Sequence, residues 1–289
     1  MNILLTGSNG FIGSYFMQKY NKKYIINTFS FQNNEFSNLN LSRINTVIHL
    51  SALVHQMGGA TKEEYFDINV NNTLELAQKA KNSGVKHFIF MSTVKVYGEE
   101  SEIVYKEDTI CNPQDDYGKS KLKAEIELKK LENSNFTVSI IRTPIVYGLG
   151  VKANILNLVK LVNKIPILPF GNIQNRRSMV YIGNLCGIIN RIIEVKKSGI
   201  FLASDDRAIS TSSLIILISK ALNKKVFLFS FPLFTILLKK LKPSFYKRLY
   251  MSLTIDNSIT KQKLSFSNQY TVEEGIELMI KKEKNSADK

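Results

Sequence analysis

Apolar residues in the first half of the chain fall in short runs suited to strands buried on both faces. Asn2-Ile3-Leu4-Leu5 is the first, and Tyr24–Phe29, Thr46–Leu50, His87–Met91 and Thr137–Arg142 repeat the pattern. Between them the spacing becomes helical, after the first run as far as Tyr20 and again over Glu63–Ser83 and Tyr117–Leu131. Strand and helix therefore alternate in the βαβ order that builds a parallel sheet. Phe31–Asn45 is too short and too polar for a full strand-helix unit, which predicts a trimmed peripheral element. From Lys152 onward the alternation weakens, with helices expected over Asn154–Lys164, Ile182–Val195 and Ser212–Asn223 and a loop at Pro166 and Pro169. The predicted fold is α/β: a doubly wound parallel sheet over residues 1–150, to which about 176–200 return, and a smaller interwoven C-terminal region over 151–289. The charged end, Lys281–Lys289, is expected to fray.

The first run stops at Thr6-Gly7-Ser8-Asn9-Gly10-Phe11-Ile12-Gly13. Strand, glycine turn and helix in this order open a Rossmann-type dinucleotide-binding fold, in which the turn lets the backbone approach a pyrophosphate at a helix N-terminus. Tyr117 and Lys121 stand one helical turn apart, downstream of Ser92-Thr93. Positions i and i+4 share a helix face, so the lysine charge is expected to lower the phenol pKa from about 10 and make it a usable proton donor and acceptor.

Composition narrows the class. The chain has 289 residues, 44% of them hydrophobic, enough for a sizeable core. Cys111 and Cys186 share no metal-ligand spacing and make no disulfide framework, and the chain opens directly into a strand-like run, so a reducing cytoplasm is the expected compartment. The net charge of +15 attracts anions, but the lysines are scattered along the chain, and an anionic small substrate or membrane surface suits them better than nucleic acid.

With Gly7, Gly10, Gly13, Thr93, Tyr117 and Lys121 in order, the chain resembles the extended short-chain dehydrogenase/reductase (NAD-dependent epimerase/dehydratase) family that acts on nucleotide-linked sugars. Supporting segments are His49-Leu50-Ser51-Ala52, Asn69-Val70-Asn71, the run from Met91 to Gly98, Arg142-Thr143-Pro144-Ile145-Val146-Tyr147-Gly148 and the run from Arg176 to Tyr181. The resemblance implies that Thr93 holds the sugar oxygen undergoing redox, Tyr117 passes the proton, and Lys121 holds the nicotinamide ribose. It implies a cofactor site of Gly7, Asn9, Gly10, Phe11, Ile12, Gly13, Ser30, Ser51, Ala52, Tyr117, Lys121 and Pro144. Asn154 and Arg177, with Thr93, would bind the substrate, a bidentate guanidinium suiting its diphosphate. No metal is expected. Each position also has a plainer role: Ser92 and Thr93 as caps of the strand end, Arg176 and Arg177 as surface charges, His49 and His55 as structural groups, and Asn69 as a bridge.

Three chemistries share this scaffold by the same resemblance: 4,6-dehydration, C4 epimerisation and ketone reduction. Dehydration needs an Asp-Glu pair just after the threonine, where this chain has Val94 and Lys95. Near the end of the second strand, Thr28-Phe29-Ser30-Phe31-Gln32 offers no acid for an adenosine 2'-hydroxyl before Glu35, which favours NADP(H) over NAD(H) and hence a reductase. The segments Tyr147–Asn154 and Asn175–Ser178 resemble bacterial reductases that finish UDP-linked 6-deoxy-N-acetylhexosamines for capsule or O-antigen. A C4 epimerase of UDP-N-acetylglucosamine, UDP-glucose or a lipid-linked sugar is the alternative, and a nucleotide-binding protein without catalysis is a third. The helices at Glu63–Ser83 and Tyr117–Leu131 resemble those through which family members form homodimers.

Phe227–Leu241 is strongly apolar, interrupted by Pro232 and followed by Lys239, Lys240, Lys242, Lys247 and Arg248 with Phe245, Tyr246 and Tyr250. This composition suits either a helix and loop packed in the substrate region or an interfacial segment touching the inner membrane beside a glycosyltransferase. It is too short and too charged to span a bilayer.

Overall fold

The computed structural model describes residues 1–54, 59–151 and 153–287; His55 and Lys152 lie outside them. β1 (Asn2–Thr6) leads through the glycine turn into α1 (Phe11–Tyr20), β2 (Ile25–Phe29) and β3 (Thr46–His49). Only a three-residue 3-10 turn, Phe36–Asn38, lies between β2 and β3, so the second crossover lacks its helix, as the polar span predicts. The long helical stretch expected next comes as α2 (Lys62–Phe66), a π-helical turn at Asp67–Asn71 and α3 (Asn72–Asn82). Thr61 and Glu64 close a capping box at its start, exchanging side-chain and backbone hydrogen bonds. β4 (His87–Thr93), the short β5 (Val104–Tyr105), α4 (Asp116–Leu131) and β6 (Thr137–Thr143) complete the first half.

The second half holds β7 (Ile145–Tyr147), α5 (Ala153–Lys164), β8 (Ile167–Leu168), β9 (Met179–Tyr181), α6 (Ile182–Val195), β10 (Gly199–Leu202), α7 (Thr211–Leu222) and β11 (Phe227–Leu228). α8 (Pro232–Leu241), α9 (Pro243–Tyr250), β12 (Thr254–Ile255), α10 (Ser258–Leu264) and α11 (Val272–Ala287) follow. α11 carries the helix well into the charged end expected to fray, with Lys281 bonded one turn back to Glu277 at 3.1 Å. The central sheet is parallel, in the order β10-β6-β4-β3-β1-β2. β10 closes the sheet beside β6, and three two-stranded ribbons, β7-β9, β8-β11 and β5-β12, knit the rest to it. No described helix is long and apolar enough to cross a membrane.

Successive side chains in a strand point to opposite faces, and here both faces are buried. Ile3, Leu5, Ile48, Ile89 and Ile141 enter one core with Phe16 of α1 and Ile189 of α6. Leu4, Val47, Phe88, Phe90 and Val138 enter the other with Leu76 of α3 and Leu128 of α4. Double-sided burial is why these strands read as continuous apolar runs. β2 is one edge of the sheet, opposite β10, and Ile25 is exposed there. The outward faces of α3 and α4 carry Glu75, Gln78, Lys119 and Lys123 beside one exposed aliphatic, Ile126, a polar surface at the place where a homodimer contact is expected.

Two buried histidines pin the sheet. His49 Nδ1 lies 2.7 Å from the Thr6 hydroxyl and Nε2 lies 2.9 Å from the Thr73 hydroxyl. Thr73 spends its proton on the Asn69 carbonyl at 2.9 Å, so Nε2–H donates to Thr73 and Nδ1 accepts from Thr6. His49 is thus a structural group locked as one neutral tautomer. Burial pushes its pKa down to about 3 and that of His87 to about 4, aided by the Lys121 and Lys196 charges respectively. Both sit below the ordinary value of 6.5, so the unfolded chain takes up protons that the folded protein refuses. Stability from these groups is present above pH 6.5 and falls as pH drops from 6.5 toward 4. Urea unfolding across that range should show the loss, and His87→Gln should flatten its slope.

Candidate active site

The glycine turn is shaped by close backbone approach. Gly7 has φ +69°, and a Cβ there would lie 2.8 Å from the Ser51 nitrogen. At Gly13 a Cβ would lie 2.2 Å from the Gly7 carbonyl oxygen, so only glycine lets α1 begin against the turn. The first hydrogen bond of α1 runs from Ser14 N–H to the Gly10 carbonyl at 2.9 Å. The N–H groups of Phe11, Ile12 and Gly13 lack intrahelical acceptors, which is the anion-binding property of a helix start. Gly7, Asn9, Gly10, Ser30, Ser51 and Ala52 line one cleft of about 520 Å³, together with Phe31, His49 and Asn72. Phe11 and Ile12 turn their side chains into the core, and only their backbone serves the turn. This cradle fits a dinucleotide. Its far end, at Phe29, Ser30, Phe31, Gln32 and Asn33, is lined by neither a carboxylate nor a cation among the described residues.

Thr93 ends β4 and caps the following 3-10 turn, Val94–Val96, accepting from Lys95 N–H at 3.3 Å. Asp115 caps α4 through Gly118 N–H at 2.7 Å. A Cβ on Gly118 would lie 2.9 Å from the Lys95 carbonyl oxygen, so this glycine lets the start of α4 press onto the turn below Thr93. The contact brings the Tyr117 phenol to the wall that Thr93 also lines, with the Tyr65 ring centroid 6.3 Å away. Lys121 is buried, with Nζ 3.8 Å from the centroid of the Phe90 ring.

The expected ionisation is not what this arrangement gives. Burial raises the Tyr117 pKa above the ordinary 10, the Asp115 charge adds to the rise, and the neighbouring Thr93 hydroxyl opposes it. Lys121 is instead the group pushed to about 7, by burial, with Glu125 pulling the other way. Proximity on a helix face is outweighed by desolvation, and the ammonium rests on Phe90.

Beneath the pair lies a buried cluster absent from the sequence reasoning. Arg142 Nε reaches both Glu125 carboxylate oxygens at 3.1 Å, the Ser92 hydroxyl donates to the same carboxylate, and the guanidinium stacks 4.7 Å from the Tyr97 ring centroid. Thr143 donates to the Ser92 carbonyl at 3.1 Å. Ser92 is therefore an anchor of β4 to α4 and β6. Asn69 is the bridge expected of it: its amide bonds both polar groups of the Leu53 backbone, at 2.8 and 3.0 Å, and the Ser120 hydroxyl at 3.0 Å.

Thr93, Tyr117, Pro144, Asn154 and Arg177 line a cavity of about 370 Å³, with Val94 and Lys95 in the positions where dehydration would need its acid and base. Lys95 pairs with Asp115 and with Glu99 at 3.0 Å. Lys121 lines neither this cavity nor the cleft. Arg177 is held by its Nη1 donating to the Met251 carbonyl at 2.9 Å, while its buried Nε has no hydrogen-bond partner. Arg176 is exposed. Sequence reasoning missed Ser244, Lys247 and Arg248 as cavity lining. The basic run Lys247-Arg248 was the available signal. Ile145, Asn154, Arg177 and Arg248 also line a second chamber of about 380 Å³, whose other walls are mainly apolar, Leu158, Phe170, Leu214 and Phe245 among them. No three His, Cys, Asp or Glu side chains among the described residues cluster so as to hold a metal.

Gly13→Ala should weaken dinucleotide binding at least tenfold, read by nicotinamide fluorescence titration, because the added carbon meets backbone that cannot yield. Lys121, depressed from 10.5 to about 7, leaves the unfolded chain with the extra proton between those values, so stability rises with pH there. Thermal unfolding of Lys121→Met should lose that rise.

The family model for the NAD dependent epimerase/dehydratase family matches residues 3–202. A UDP-glucose 4-epimerase of Vibrio cholerae is 36% identical, covering 95% of this chain and 93% of that protein. An N-acetyl-alpha-D-glucosaminyl-diphospho-ditrans,octacis-undecaprenol 4-epimerase of Escherichia coli O157:H7 is 27% identical over 78% of this chain and 73% of its own length. In fold, the NAD complex of UDP-glucuronic acid 4-epimerase from Bacillus cereus superposes with a TM-score of 0.80 at 21% identity, each chain covered to 99%. Glycine turn, Thr93-Tyr117 contact and full-length likeness agree, and the chain belongs to the NAD dependent epimerase/dehydratase family.

Proposed function

We propose that the protein is a C4 epimerase of a hexose or N-acetylhexosamine carried on UDP, acting with bound NAD(H). The carrying observation is that Thr93 and Tyr117 share the wall of a cavity that Asn154 and Arg177 also line. That arrangement places a hydroxyl and a phenol together at one sugar oxygen, with a cationic side chain for a diphosphate in the same cavity. Tyr117 acts from its phenolate form: once its own proton has passed to solvent, it takes the proton of the C4 hydroxyl and later returns it, while Thr93 holds the oxygen as its carbon becomes a ketone. The glycine turn would hold the dinucleotide, which would supply hydride acceptance and return. The neutral adenosine end of the cleft supports NAD(H), since a 2'-phosphate there would meet no cation among the lining residues. The Vibrio cholerae 4-epimerase, at 36% identity over nearly the whole chain, supports the same chemistry.

One-way reduction of a UDP-4-keto-6-deoxy-N-acetylhexosamine by NADPH is favoured by a different feature, the absence of a carboxylate among the described residues that line the cleft with Ser30. A second carrier, a lipid diphosphate, suits the apolar walls of the second chamber, and the Escherichia coli relative's name states a substrate of that kind.

Dinucleotide released from the denatured protein, followed by turnover assays, separates these. Retained NAD and interconversion of UDP-N-acetylglucosamine or UDP-glucose with its C4 epimer, without net cofactor use, is the expected result. Stoichiometric oxidation of added NADPH by the 4-keto sugar would replace epimerisation with reduction. Tyr117→Phe should lower turnover at least 100-fold with dinucleotide affinity near that of the wild type.

A further inference from the structure

Among the described residues, exposed large apolar side chains concentrate over residues 165–167 and 227–245. On the β8-β11 ribbon, Ile167 pairs with Phe227, and the two are 57% and 66% exposed. α8 is apolar on two sides. Phe234 packs on Phe170 with ring centroids 6.0 Å apart, and Leu238 is buried. Leu233, Ile236, Leu237 and Leu241, spaced to share the other face, are 52–66% exposed. Phe231 and Phe245 extend this surface at 47% and 44%. Four large aliphatics facing water on a ten-residue helix call for a partner.

The charges around this surface say which partner. From Arg207 to Ile255 the chain contains no Asp or Glu and nine Lys or Arg. Lys224, Lys225, Lys239, Lys240 and Lys242 are all exposed. Of the remainder, Lys247 is paired with Glu100 at 2.7 Å, and Arg248 lines the catalytic cavity, so neither is counted toward the surface. Basic residues beside exposed aliphatic and aromatic side chains match the headgroups and acyl boundary of an anionic bilayer. A protein partner or a second copy of this chain would supply the apolar contact, but a second copy would bring its own acid-free basic segment against this one.

We propose that the β8-β11 ribbon, α8 and the start of α9 form a docking face for an anionic lipid bilayer. Phe245 belongs to this face and also walls the apolar chamber that shares Asn154, Arg177 and Arg248 with the catalytic cavity. Docking therefore sets the α9 wall of the chamber at the lipid surface. Docking does not depend on the C4 chemistry, and it is read without turnover.

The test is co-sedimentation of the full chain with vesicles of phosphatidylcholine containing phosphatidylglycerol, against vesicles of phosphatidylcholine alone. Leu233→Ser/Ile236→Ser/Leu237→Ser and Lys240→Glu/Lys242→Glu are compared with wild type, with circular dichroism and dinucleotide binding confirming that each is folded. Wild-type binding to the anionic vesicles that weakens about tenfold or more in each variant is the expected result. Wild-type protein that stays in the supernatant, or variants that bind as well as wild type, would overturn the proposal. A vesicle-free dimer that the serine variant dissociates would also overturn it, by assigning the surface to a second copy.

Discussion

The buried contact of Arg142 with Glu125 and Ser92 joins three elements that must keep their spacing for Thr93 to meet Tyr117. Ser92 immediately precedes Thr93 on β4, Glu125 lies one helical turn beyond Lys121 on α4, and Arg142 comes from the neighbouring strand β6. Breaking such a pair by removing one member strands a charge in the interior and costs about 3–5 kcal/mol. The same contact is what allows the phenol and the threonine hydroxyl to be held by a stiff strand and a stiff helix rather than by loops. Thr143, bonded to the Ser92 carbonyl, ties the strand end from the other side.

The βαβ half of the fold was legible because burial on both sheet faces leaves unbroken apolar runs, as in Ile3-Leu4-Leu5 and Phe88-Ile89-Phe90. The helix starts at Thr61, Asp115 and Ser210, each accepting a backbone hydrogen bond as a cap, lie one or two residues before the starts read from the apolar spacing. The ribbons β5-β12, β7-β9 and β8-β11 were not legible. Each strand is two or three residues long and pairs with a partner distant in sequence, so its identity resides in tertiary contact and not in local pattern.

The site was legible where chemistry needs a residue type at a fixed place. Of the residues that the resemblance singles out, Gly7 lines the cleft, Gly13 lies against the Gly7 backbone, and Thr93, Tyr117, Asn154 and Arg177 share one cavity wall. The sequence misled on ionisation, because the spacing of Tyr117 and Lys121 says nothing of how deeply each is buried. Phe90 lies under Lys121 only once β4 and α4 are assembled. Nor did it show that Ser244, Lys247 and Arg248 reach the cavity, since α9 is brought there by the fold of the second half.

The π-helical turn at Asp67–Asn71 gives the helix one residue more than an α-helical count would place between its ends. That surplus turns Asn69 inward, where its amide spans the Leu53 backbone and Ser120. Length variation among descendants of this sequence is therefore constrained unevenly. A residue gained or lost in the polar stretch between β2 and β3 changes only a surface loop. One lost from the wide turn would leave a well-formed helix whose amide no longer holds the two neighbouring segments together.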